Sequence, residues 1–278
     1  MNSRLRVPCT YQGGKQRVAK QIADALLVAA PSLDSNFLDL CCGSGAVSVE
    51  LANRGVDPSR ITMLDASSWG TFWKAIGEGT FAMDIFDAYL SEIPKDKRLV
   101  KTHMANLATQ HPGTHEAEIY PVLQSCSFGG KQLWHDGYEW QNAFFRDYWT
   151  PTETSVRRSP ANPMQPRPEE LRRRVLDLTS GMNGIRGFRA DISMVLDWTI
   201  PADTVIYIDP PYKGTTNYGF GFDVREIVTK LRARTEAAIF VSEGEPLSRD
   251  CIQLMVSGGN GGISGRRRSK HRECLSRV

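Results

Sequence analysis

Several things are scarce in this chain of 278 residues, and each scarcity removes a class of protein. No apolar run approaches membrane-spanning length, which excludes a helical membrane protein. The start Met1-Asn2-Ser3-Arg4-Leu5 has no apolar stretch behind it, so no secretory leader is expected. The six cysteines, at 9, 41, 42, 126, 251 and 274, form no C-x-x-C pair. That argues against a zinc site, and no metal is expected. Two of them, Cys41 and Cys42, are adjacent in an expected strand, which argues against a disulfide framework and points to a reducing, cytoplasmic home. A net charge of +3 is too small to mark a nucleic-acid binder by itself. There are no internal repeats. The length suits one large domain, or one domain with an insertion.

What is present begins with Asp209-Pro210-Pro211-Tyr212, directly after the apolar run Val205-Ile206-Tyr207-Ile208. The run reads as a buried strand. It ends by presenting a carboxylate, a rigid proline pair and an aromatic ring. Those groups suit methylation of the exocyclic amino group of a nucleobase, a poor nucleophile because its lone pair is delocalised into the ring. A carboxylate and a backbone carbonyl can accept the two N–H bonds and draw the nitrogen towards sp³ geometry. Prolines fix the direction of the carbonyls, and the Tyr212 ring can stack on the base. A plain turn that closes the strand is the competing reading.

A second apolar segment, Phe37-Leu38-Asp39-Leu40-Cys41-Cys42-Gly43-Ser44-Gly45, runs into a glycine turn and a helical pattern around Val47 and Leu51. Strand, glycine loop and helix together open a nucleotide-binding α/β unit. The third glycine of G-x-G-x-x-G is missing, which argues against a dinucleotide and suits a ligand without phosphate, such as S-adenosylmethionine. Ile61-Thr62-Met63-Leu64 reads as the next strand. It ends in Asp65, near the usual place of an acid that binds ribose hydroxyls. Upstream, Tyr11-Gln12-Gly13-Gly14-Lys15 precedes a helix with Val18, Ile22, Ala25, Leu26 and Ala29 on one face, stopped by Pro31. A Gly-Gly turn with a lysine at a helix start can bring backbone N–H groups and an ammonium onto a carboxylate, which the methionine end of that ligand carries.

Residues 67–185 differ in character. Five of the six tryptophans (Trp69, Trp73, Trp134, Trp140 and Trp149) fall here, and prolines at 151, 160, 163, 166 and 168 follow. We read 67–150 as a mostly helical and irregular insertion, then a proline-rich connection and a helix near 169–180. Its aromatics are expected to pack as core, and polar loops such as 125–137 are the better candidates for nucleic-acid contact. Arg157-Arg158, Arg172-Arg173-Arg174, Arg186 with Arg189, and a basic end at Arg266-Arg267-Arg268, Lys270 and Arg272 can neutralise phosphates, or can be solvated faces and a floppy tail.

Taken in order, Tyr-x-Gly-Gly-Lys, Phe-Leu-Asp-Leu-x-x-Gly-x-Gly and a distant Asp-Pro-Pro-Tyr resemble the Dam-like DNA adenine-N6 methyltransferases. About 165 residues separate Gly43 from Asp209, room for an inserted recognition region. Ser127-Phe128-Gly129-Gly130-Lys131 and the Arg-rich end resemble a phage-borne branch of that family. The resemblance covers mainly 11–66 and 186–243. It implies an α/β, Rossmann-like S-adenosylmethionine-dependent methyltransferase with a mostly parallel sheet and an inserted, mostly helical target-recognition region. The implied division is 1–66 and 186–278 as catalytic core, with a basic C-terminal tail, and 67–185 as insertion. The implied catalytic residues are Asp209, Pro210, Pro211 and Tyr212. The implied cofactor-binding residues are Tyr11, Gly14, Lys15, Asp39, Cys41, Gly43, Asp65 and, at the cofactor adenine, Asp191. S-adenosylmethionine is the implied cofactor. Double-stranded DNA is the implied partner, bound by a protein expected to be a monomer in a bacterial or phage-infected host cell. Asp-Pro-Pro-Tyr also serves N4-cytosine methylation in DNA and N2-guanine methylation in RNA, and a non-catalytic nucleic-acid-binding protein on the same core is a further alternative. The chain departs from the family at Cys41-Cys42 and in the short stretch after Val241, which leaves little room for late strands.

Overall fold

The computed structural model describes residues 4–211, 219–254, 260–261, 266–267 and 273–278. Seven strands form its main sheet: β1 (Phe37–Leu40), β2 (Ile61–Asp65), β3 (Arg186–Arg189), β4 (Val205–Ile208), β5 (Ala238–Glu243), β6 (Cys251–Leu254) and β7 (Glu273–Arg277). Their order across the sheet is β3-β2-β1-β4-β5-β7-β6. The pairs from β3 to β5 are parallel, with Phe37 beside both Ile61 and Val205, and Val205 beside Ala238. β7 alone runs against its neighbours, setting Leu275 opposite Ser242 of β5 and Ile252 of β6.

The apolar runs become central parallel strands because both of their faces are covered. Side chains alternate between two cores, as the period of a strand requires. Phe37, Ile61, Met63, Val205 and Tyr207 pack on one side, against α1 (Ala19–Ala29), α2 (Ala46–Asn53) and α3 (Ser68–Glu78). Leu38, Leu40, Leu64, Ile206 and Ile208 pack on the other, against the short helix 192–197 and against Val224, Ile227 and Leu231 of a later helix, 224–232. The result is an α/β, Rossmann-like sheet with helices on both faces. It differs from the dinucleotide order by the reversed strand between β5 and β6. Among the described residues no helix is long and apolar enough to cross a membrane.

The stretch 67–185 begins with α3, which lies directly on β3; Gly70 and Gly77 leave its backbone close to Phe188, Arg189 and Ile185. α4 (Met83–Ser91), α5 (Val100–Leu107) and α6 (Glu116–Cys126) follow, then a small antiparallel pair of 134–135 with 140–141, an irregular passage, and α7 (Pro168–Gly181). The last helix among the described residues, Val224–Arg232, is α8. Trp69, Phe72, Trp73 and Tyr120 are fully buried in the same core as the sheet. This apolar payload turns inward, as expected of aromatics in a stretch that must bury something.

Three expectations are corrected. β1 ends at Leu40, so the Cys41-Cys42 pair starts the loop instead of lying in the strand, and Cys41 has a φ of 62°. The stretch after Val241 does hold late strands, and the basic run is not a tail. Arg266–Arg267 pairs with Asn260–Gly261 between β6 and β7, after which the chain returns to the sheet. Arg268, Lys270 and Arg272 lie outside the described residues.

Candidate active site

The loop between β1 and α2 takes its shape from two left-handed glycines. A Cβ on Gly43 (φ 49°) would stand 2.8 Å from Cε1 of Tyr11, and one on Gly45 (φ 74°) would stand 2.4 Å from Cζ2 of Trp73. No larger residue fits without displacing an aromatic ring. The loop is held by its neighbours. Gly43 N donates to Asp65 Oδ2 at 2.8 Å, Trp73 Nε1 donates to Gly43 O at 2.9 Å, and Cys42 N donates to Leu64 O at 3.1 Å. Asp65 is the last residue of β2, which brings its carboxylate to the same end of the sheet. Its Oδ1 accepts from Ser67 N at 2.9 Å and from Ser67 Oγ at 2.5 Å. Burial pushes the Asp65 acid up, while these donors and Gly43 pull it down. Asp39, one residue before the end of β1, is also buried and is pushed up to about 6; Ser48 Oγ opposes this by donating to Oδ2 at 2.6 Å.

The N-terminal turn arrives from the other side. Gly14 N donates to Tyr11 O at 3.1 Å, and the edge of Tyr11 meets Trp69 with centroids 5.7 Å apart. Lys15 is thereby buried, with its Nζ 2.5 Å from Asp209 Oδ1, 3.7 Å from Glu273 Oε1 and donating to Gly13 O at 3.0 Å. The ammonium expected to meet a ligand carboxylate is here paired with the protein's own acids.

Asp209 follows β4, and its backbone N donates to Leu40 O at 3.1 Å, locking it beside the end of β1. Burial raises its carboxyl to about 7; Lys15 opposes the rise, and the nearby Glu273 and Asp39 add to it. Pro210 is buried and Pro211 half-buried behind it. Tyr212 lies outside the described residues. Asp191 is exposed at the start of the helix 192–197, where Oδ1 accepts from Ser193 N at 2.9 Å.

Tyr11, Gly14, Lys15, Asp39, Cys41, Gly43, Asp65, Asp191, Asp209, Pro210 and Pro211 all border one cleft of ≈ 880 Å³ at the carboxyl ends of β1, β2 and β4. The cleft has the size of a small-molecule or cofactor site. Among the described residues its charged lining is six carboxylates (Asp39, Asp65, Asp191, Asp209, Glu245 and Glu273) against two cations, Lys15 and Arg17. Glu273, Phe220, Phe222 and Gln132 also line it and are absent from the sequence-predicted set. Glu273 opens β7 directly after the arginine-rich run and carries no local sequence mark. Phe220 and Phe222 bracket Gly221 a short way after the proline pair, and that alternation is the signal that could have found them.

The arginine cluster of α7 is neutralised at home. Arg172 makes a two-pronged bond to Asp87, Arg173 pairs with Glu170 and Asp177, and Arg174 pairs with Glu170. Arg157 and Arg158 cap carbonyls of their own loop.

No protein-family model matches this chain, and no curated protein matches it. Among solved structures, one similar chain is the rRNA methyltransferase aviRa from Streptomyces viridochromogenes. It is 17% identical over 94% of this chain and 84% of that one, with a TM-score of 0.39, too slight a likeness to carry a function across.

Proposed function

We propose that this protein is an S-adenosylmethionine-dependent methyltransferase acting on the exocyclic amino group of a nucleobase, N6 of adenine in double-stranded DNA. The observation that carries the reading is one juxtaposition. The Asp209-Pro210-Pro211 strand end and the glycine loop open into a single acid-rich cleft. An excess of carboxylates disfavours phosphates and favours a ligand carrying an ammonium and a sulfonium, which supports this cofactor over a dinucleotide. The cleft also offers what the rest of that molecule needs: carboxylates at the β2 end and at Asp191 for ribose and adenine, and loop backbone for the methionine moiety.

When bound, S-adenosylmethionine supplies an electrophilic methyl group whose C–S bond breaks with its electron pair going to sulfur. Asp209, as the carboxylate, accepts one amino hydrogen, and the Pro210 carbonyl accepts the other. The nitrogen lone pair is thereby localised and aimed at the methyl carbon as the N–C bond forms. Asp209 stands ready for the proton that the cationic nitrogen then sheds, so no strong base is needed. Holding both reactants in line supplies much of the rate. Flipping the target out of the duplex costs a few kcal/mol, recovered by pocket contacts. The choice of adenine rests on the resemblance in motif order, since an N4-cytosine amine fits the same chemistry.

The test is methyl transfer from labelled cofactor to unmethylated DNA, followed by mass spectrometry of the nucleosides. N6-methyladenine is expected, and Asp209→Ala should abolish it while leaving cofactor affinity within several-fold. Methylcytosine without methyladenine would reject the substrate, methylated RNA alone would reject DNA as partner, and turnover by Asp209→Ala would reject the mechanism.

A further inference from the structure

Two distant segments meet at the mouth of the cleft. Trp134, in the small antiparallel pair of 134–135 with 140–141, sets its indole against Phe220, with centroids 5.5 Å apart and planes tilted by 60°. Phe220 and Phe222 line the cleft that holds Asp209, Pro210 and Pro211. The approach is close. A Cβ on Gly219 would stand 2.4 Å from Trp134 Cζ2 and 2.7 Å from Cη2, so any larger residue would push the indole out of its place. Phe222, at the other end of this short segment, packs on the core that α8 covers.

Trp134 is itself held in place from the sheet. The next residue, His135, donates its backbone N to Ser68 Oγ at 2.9 Å. Arg189, at the end of β3, donates to His135 O and is paired with Glu116 of α6 at 2.6 Å. The order of dependence runs from β3 and α3 to Trp134, and from Trp134 to Phe220.

Resting on the reading above, a flat base beside Asp209 needs an apolar wall that fixes its plane, because the amine must point at one carbon. We propose that Phe220 is a substrate-contacting wall against which the target base stacks, and that Trp134 is the positioning residue that sets it. The inserted stretch then governs the transfer step, as well as whatever binding it contributes.

The experiment compares wild type with Gly219→Ala, Trp134→Ala, Trp134→Phe and the Gly219→Ala/Trp134→Ala pair. It uses single-turnover methyl transfer, cofactor calorimetry, thermal unfolding, and fluorescence of a 2-aminopurine placed at the target base. Gly219 is exposed, so Gly219→Ala should fold normally and bind cofactor normally. Its transfer rate should nevertheless fall by roughly 10²-fold, the scale of an ångström of misplacement. Trp134→Ala should lose a similar factor, with altered fluorescence of the flipped base, and Trp134→Phe should keep most of the rate. The double variant should be no worse than Trp134→Ala alone, because the clash then has no partner. Wild-type rates in Gly219→Ala, or losses that simply multiply in the double variant, would overturn the proposal while leaving the methyltransferase reading intact. A wild-type protein that methylates no nucleic acid overturns both. Gly219→Ala decides the matter even if Trp134→Ala unfolds.

Discussion

Replacing Lys15 by methionine removes a buried charge and keeps most of the side-chain volume. The ammonium stands 2.5 Å from Asp209 Oδ1 and pulls down a carboxyl that burial raises to about 7. With that value, Asp209 is about half ionised at pH 7. A cation this close strengthens the acidity of a carboxyl by a factor of about 10–1,000. Without it, the ionised fraction at pH 7 should fall to between roughly a tenth and a thousandth. The proposed chemistry needs the carboxylate, so transfer is lost as pH falls and recovered as pH rises. The wild-type rate should climb with pH through about 7. That of Lys15→Met should be lower at neutrality and climb only at distinctly higher pH, approaching wild type at the alkaline end. The assay is a pH profile of the second-order rate constant towards DNA at saturating cofactor, which reads ionisations before the target base binds. A Lys15→Met profile that is lowered at every pH without moving would refute the argument and assign Lys15 to cofactor binding alone.

Asp65→Ala should weaken S-adenosylmethionine binding by about 1–3 kcal/mol, and should also lower the melting temperature because Gly43 and Ser67 lose their acceptor; calorimetry with unchanged affinity would confine Asp65 to holding the loop. Gly45→Ala should cost roughly 2 kcal/mol or more in stability, from the left-handed backbone together with the collision at Trp73, measurable by denaturant unfolding; a neutral result would mean the loop is shaped otherwise. Replacing Arg172, Arg173 and Arg174 together by alanine should leave the salt dependence of DNA binding unchanged, since all three are paired within the protein. Replacing Arg266 and Arg267 should flatten the log–log slope by up to about 0.9 for each phosphate that is no longer neutralised.

The strands legible in the sequence are those buried along their whole length. Phe37–Leu40, Ile61–Asp65 and Val205–Ile208 are buried throughout, so a plain apolar run betrays them. β3 is an edge strand of sequence Arg-Gly-Phe-Arg, half exposed, and carries no such signature. β7 sits within the sheet but reads Glu-Cys-Leu-Ser-Arg, directly after an arginine-rich run whose composition suggests a loose end. The cofactor-side positions are legible because glycine turns and strand-end acids depend on local geometry. Glu273 is not, because its meeting with Lys15 is set by a register between distant strands. Composition places Trp69 and Trp73 in the inserted stretch, whereas Trp73 supports the glycine loop by a hydrogen bond. The meeting of Trp134 with Phe220 has no local sequence mark on the tryptophan side.

The reversed placement of β7 bears on how the molecule comes together. β6 is joined to the sheet through β7. Although β6 comes earlier in the chain, it must therefore wait for β7, which has to slot in alongside β5 from the opposite direction. Until then β5 presents an open edge, a template for pairing with other chains. The same event brings Glu273 to Lys15, across most of the length of the chain. Contacts of such long sequence separation form slowly. The Lys15 and Asp209 pair would thus lack its third member until β7 docks beside β5.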